Sequence, residues 1–119
     1  MPLIPTEALP KFENAIYFPM LISILEKDRK AIEGGPFKLK GPYFKLIEDA
    51  LKIIRIELKD TNIYMKRNNM KVIKGKNDGT FTEYAFIYGG YEDQRRYLNV
   101  RLRNRTEELI SVYFAMVGS

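Results

Sequence analysis

The apolar residues change their spacing near residue 60, and that switch constrains the fold more than any single motif does. Before it they recur as on a helix; after it they alternate as on a strand. Residues 20–33 (MLISILEKDRKAIE) set Leu21, Ile24, Leu25 and Ile32 on one stripe, and Gly34-Gly35-Pro36 supplies a C-terminal stop. Pro19 reads either as the first-turn proline of this helix or as a kink in one that begins near Lys11. The segment PFKLKG (36–41) reads as a connector or a short strand. Gly41-Pro42 then opens a second helix, because a first-turn proline forfeits no hydrogen bond there. Phe44, Ile47, Leu51, Ile54 and Leu58 carry the helical period to about residue 59. On its outer side Glu48 and Lys52 form a supporting i, i+4 pair, whereas Arg55 and Lys59 repel, which suits a functional surface better than a purely structural one.

Beyond Asp60-Thr61-Asn62 the pattern predicts a series of hairpins. Residues 63–67 and 70–75 flank Asn68-Asn69, and asparagine tolerates the positive φ of a tight turn. Lys76-Asn77-Asp78-Gly79 makes the next turn, and residues 80–88 (TFTEYAFIY) read as a strand rich in aromatic and β-branched side chains. Residues 89–94 read as a loop. YLNVRLR (97–103) then alternates strictly, with Leu98, Val100 and Leu102 opposite Asn99, Arg101 and Arg103, which predicts a half-buried strand. Residues 109–117 (LISVYFAMV) are apolar on both faces; Thr106 and two following glutamates could cap a helix, but the residue types favour a buried strand. The expected class is α+β: two N-terminal helices followed by an antiparallel meander of about five strands, the helices covering one face. The alternative is a winged-helix arrangement, with helix two as the probe and the first hairpin as the wing.

At 119 residues the chain is expected to form one domain, and 45% hydrophobic with 29% charged residues is the balance of a globular protein. Cysteine and histidine are both absent. This rules out disulfides, thiolate nucleophiles and cysteine-ligated metals, and removes the commonest general base. The three serines have no histidine to activate them, and the pairs Glu48-Asp49, Glu92-Asp93 and Glu107-Glu108 diverge as sequence neighbours must. Glu57-Leu58-Lys59 resembles a nuclease fragment only by chance, and no glycine-rich phosphate loop occurs. The expectation is therefore no enzyme, no metal and no cofactor. The opening MPLIPTEALPKF has no export pattern, and the longest apolar run, residues 15–25, contains Pro19 and falls short of the roughly 20 residues that cross a bilayer. A cytoplasmic, non-membrane protein of bacterial or phage-like composition is expected.

The net charge of +5 is unevenly placed. Between Lys52 and Lys76 there are eight basic and two acidic side chains, and between Arg95 and Arg105 five arginines and no acid. Such a cluster attracts polyanions. The candidate phosphate-binding residues are Lys66, Arg67, Lys71, Lys74 and Lys76 on the first hairpin, with Arg101, Arg103 and Arg105 on the alternating strand. The competing reading is that strand arginines are a solvated face and edge lysines deter sheet association. Tyr84, Phe86 and Tyr88 share one side of their strand and could stack bases, although aromatic rows of this period usually form core. Two functions follow: a nucleic-acid-binding module using these residues, or a protein-interaction or homodimerising module that pairs through residues 109–117.

Overall fold

Both helices expected before residue 60 form and run further than their apolar stripes predict, the first beginning before Lys11 so that Pro19 lies inside it and not in its first turn. A computed structural model describes residues 4–118. A single turn (Thr6–Ala8) leads into α1 (Leu9–Gly34) and α2 (Gly41–Arg67); then come β1 (Met70–Asn77), β2 (Phe81–Tyr88), β3 (Tyr91–Leu98) and α3 (Asn99–Gly118). Helix α1 continues through Pro19, whose missing N–H leaves the Ala15 carbonyl without its usual i+4 donor.

Helix α2 continues through Asp60-Thr61-Asn62, where a break is expected. Thr61 takes a core position on the stripe Ile54, Thr61, Met65, and its hydroxyl accepts a bond from Asn14 Nδ2 at 3.4 Å. Residues 63–67 are therefore helix, not strand. Asn68-Asn69 does use a positive φ, at Asn69 (54°), but to end the helix. Both the backbone N–H and the Nδ2 of Asn68 donate to the Tyr64 carbonyl, at 3.1 and 2.8 Å. With α2 occupying those residues the expected wing has no place.

The sheet has three strands in the order β1-β2-β3, all antiparallel, instead of about five. In the first turn Asp78 Oδ1 accepts the N–H groups of Thr80 and Phe81 at 2.9 and 2.8 Å, and Gly79 supplies φ +92°. The second turn is Gly89-Gly90, with Tyr88 opposite Tyr91, so the expected loop at 89–94 is mostly strand. YLNVRLR is divided: Tyr97 and Leu98 close β3, and α3 starts at Asn99. The alternation of Leu98, Val100 and Leu102 is incidental, and Val100 is exposed. The stripe that packs is Leu102, Thr106, Leu109, Tyr113, spaced by four, three and four as on a helix. Residues 109–117 accordingly belong to α3 and not to a strand.

The α+β class holds, with two helices before the sheet and a third after it. Two clusters make the core. In one, Phe12 stacks flat on Phe86, ring centroids 4.6 Å apart, with Ile16, Met65 and Leu102 around them. In the other, Leu21 and Leu25 of α1 pack on Leu51 and Ile54 of α2, and Tyr113 of α3 closes the end. Tyr84 and Phe86 point from β2 into the first cluster, while Ile73, Ala85 and Ile87 lie on the opposite face of the sheet.

Candidate binding groove

Helix α3 separates the arginines that a strand would have aligned. At about 100° per residue, Arg101 and Arg105 share one stripe while Arg103 lies roughly 200° from Arg101. Arg101 and Arg105 line a polar cavity between α1 and α3, and Arg103 lines a groove on the other side of α1.

The groove, of about 990 Å³, lies between α1, the end of α2, the start of α3 and the sheet, beside β1, which is mostly exposed after Met70. Its floor is apolar: Ile16 and Met20 from α1, Met65 from α2, Met70 from β1, Tyr84 from β2 and Leu102 from α3. Its cationic residues are Lys66 at the end of α2, Lys71 and Lys74 on β1, and Arg103 on α3. No aspartate or glutamate lines it. A shallower groove of about 360 Å³ continues from Asn62 and Lys66 along α2 past Arg55, Leu58, Lys59 and Ile63, again without an acid. Of these cations Arg55 is paired, with Glu26. The like-charged Arg55 and Lys59 thus belong to one continuous basic band.

The floor adapts easily, because three of its side chains are methionines, which are unbranched and polarizable. Its polar atoms are largely satisfied from within. Thr106 donates to the Leu102 carbonyl at 2.7 Å, and Thr82 donates to Asn99 Oδ1 at 2.6 Å. Tyr84 is 4% exposed, with burial pushing its phenol up from the ordinary tyrosine value. Lysine, arginine and this phenol are the ionisable groups on the groove, so burial of apolar surface and attraction of anions are what it can contribute.

Of the basic residues expected to act together, Lys66, Lys71, Lys74 and Arg103 line the groove; on β1 the register puts Lys74 beside Tyr84 on the helix-facing side of the sheet and Lys71 beside Ile87 on the other. Arg101 and Arg105 do not join them, and Arg67 and Lys76 are exposed but line neither cavity. The aromatic row is core: Tyr84 and Phe86 are buried and Tyr88 packs half-buried against the same cluster, so base stacking on this row is blocked by the helices. The floor residues Ile16, Met20, Met65 and Leu102 gave no signal of a site in the sequence, since they converge from three helices and look like ordinary core.

The polar cavity, of about 750 Å³, is lined by Glu13, Asn14 and Tyr17 of α1, Glu57 of α2, and Arg101 and Arg105 of α3, among others. The Tyr113 hydroxyl donates to Glu57, and burial together with that bond pushes its phenol well up. Burial raises Tyr97 to about 12. Among the described residues no group of three or more acidic side chains is placed to hold a metal, and no helix is long and apolar enough to cross a membrane.

Among the described residues, three α-helices, a three-stranded antiparallel sheet and an apolar groove lined with cations define a small α+β protein. The chain belongs to the YhjD protein family, whose model matches residues 3–118. It is 34% identical over 113 residues to "Uncharacterized protein YhjD" of Bacillus subtilis (strain 168), a match covering 95% of this chain and 94% of that one. No solved structure matches the chain.

Proposed function

We propose that the chain is a non-enzymatic protein-interaction module, and that its groove takes an acidic partner segment with an apolar face. One observation carries this reading: an apolar floor lined by Lys66, Lys74 and Arg103, with Lys71 on the outer face of β1 at its edge and no acid among the lining residues. Apolar side chains of the partner bury against the methionines, and its carboxylates meet the rim. The burial supplies affinity, while the charges set encounter rate and orientation. Self-association through a free edge at residues 109–117 is not part of this reading, because those residues form α3.

A second reading, nucleic-acid binding, draws support from the basic band that extends from Lys59 through Lys66 to Lys74 and Arg103. Phosphates along a backbone would meet these cations, with no help from stacking on Tyr84 or Phe86.

The chain contains no tryptophan, so a synthetic acidic amphipathic peptide carrying one tryptophan reports its own burial without background. The interaction reading expects a saturable blue shift of that emission. It also expects the shift to be lost when the peptide's other apolar residues become serine. No shift with the apolar peptide, beside salt-sensitive binding of a labelled oligonucleotide, would replace this reading with the second.

A further inference from the structure

On the other side of α1, the polar cavity carries both signs of charge on different helices. Arg101 on α3 and Glu13 on α1 both line it, and among the described residues neither has a hydrogen-bond or ion-pair partner. Arg105, one turn beyond Arg101, also faces the cavity, although its guanidinium is held by Glu108 at 3.0 Å. The phenol of Tyr17 lies within the electrostatic influence of Glu13, Arg105 and Arg101. Tyr17 is 8% exposed and its hydroxyl has no protein partner. Because no buried side-chain oxygen or nitrogen among the described residues lacks a partner, that hydroxyl must open to solvent. The rest of the lining includes apolar surface from Phe18, Tyr97, Leu98 and Leu109, and Arg96, whose guanidinium lies 4.1 Å from the centroid of the Phe81 ring.

A simple anion in this cavity would meet Glu13 and Glu57, and a simple cation would meet Arg96, Arg101 and Arg105. A molecule bearing both charges satisfies both walls. We infer that the cavity binds a small zwitterion of the α-amino acid type with an apolar or aromatic side chain. Its carboxylate engages Arg101, with Arg105 and the Tyr17 hydroxyl beside it. Its ammonium engages Glu13, and its side chain rests on the apolar part of the lining, Phe18, Tyr97, Leu98 and Leu109. Guanidinium offers the planar fork that a carboxylate accepts, and about 750 Å³ is within the range of small-molecule sites.

The test is an NMR titration of the intact ¹⁵N-labelled chain with L-phenylalanine and with its two halves, 3-phenylpropionate and phenethylamine. Phenylalanine should shift the amides of Glu13, Tyr17 and Arg101 saturably, and bind at least about tenfold more tightly than either half. Arg101→Gln should weaken phenylalanine and phenylpropionate about tenfold and leave phenethylamine unchanged; Glu13→Gln should weaken phenylalanine and phenethylamine instead. Both side chains are exposed, and amide positions outside the cavity verify that the variants keep the fold. Three results would overturn the inference. They are phenylpropionate binding as tightly as phenylalanine, phenylalanine binding that survives both substitutions together, and no saturable shift with any of the three.

Discussion

Arg101 and Arg103, two residues apart on α3, open onto different cavities: Arg101 onto the polar one, Arg103 onto the apolar groove. Charge reversal at the two positions should therefore separate. Arg103→Glu is expected to weaken the tryptophan-bearing acidic peptide by about tenfold or more, since it both removes an attraction and places a repulsion on the rim. Arg101→Glu should leave that affinity within about twofold, because Arg101 faces the other cavity, where its exposed charge makes no contact with a bound peptide and is screened by salt. Peptide titrations with each variant decide the matter, and equal losses would mean that net charge alone governs binding.

The stack of Phe12 on Phe86 ties α1 to the middle strand, and both rings are fully buried. Phe86→Ala should cost about 3–5 kcal/mol, through lost burial and the cavity left behind. Urea unfolding of the variant should show the shift in midpoint. A loss under about 1 kcal/mol would mean that the sheet and helices are held elsewhere.

Pro19 is exposed within α1 and lines the groove. Pro19→Ala restores an N–H opposite the Ala15 carbonyl and removes the ring's clash with the preceding turn. It should raise stability, by up to about 3 kcal/mol. The thermal midpoint reads this directly. If the proline also shapes the groove wall, peptide affinity should fall as stability rises.

Four tyrosines should make the protein sensitive to alkali. Burial raises Tyr17, Tyr84 and Tyr97 above the ordinary value of 10.0, Tyr97 to about 12, and burial with Glu57 raises Tyr113 further. A raised phenol pKa means that the folded state holds its proton longer than the unfolded chain. The stability tied to these groups is thus complete below about pH 10 and is lost as pH climbs towards 12 and beyond. Urea midpoints should fall across that window. Phenolate absorbance of the native protein should lag behind that of the denatured chain, and Tyr113→Phe should shrink the lag.

Much of the architecture was legible where residue chemistry acts locally. Gly41-Pro42 starts α2, Asp78 and Gly79 build the turn they suggest, and the aromatic and β-branched run of β2 is a strand. The fold departs from the sequence pattern where polar residues take core positions. Thr61 looks like a helix breaker, yet it is buried and bonded to Asn14. Thr106 interrupts the apolar stripe of α3, which left the accidental alternation of Leu98, Val100 and Leu102 as the stronger signal. Strand β3 reads as loop because its inward positions include Asp93 and Arg95. These two pair at 2.8 Å, while the Arg95 guanidinium lies over the Phe86 ring. The groove was half legible: its cations stand out in the sequence, but its floor is assembled from distant elements that only the fold brings together.

The claim that the groove buries an apolar acidic segment is tested most directly by its methionines. With ¹³C-methyl methionine the chain gives five signals; Met20, Met65 and Met70 belong to the groove, and Met116 on α3 lies outside it and is 53% exposed. On titration with the acidic amphipathic peptide the three groove signals should move together and saturate while Met116 stays in place. Movement of Met116 with the groove signals fixed, or no movement of any methyl, would contradict it.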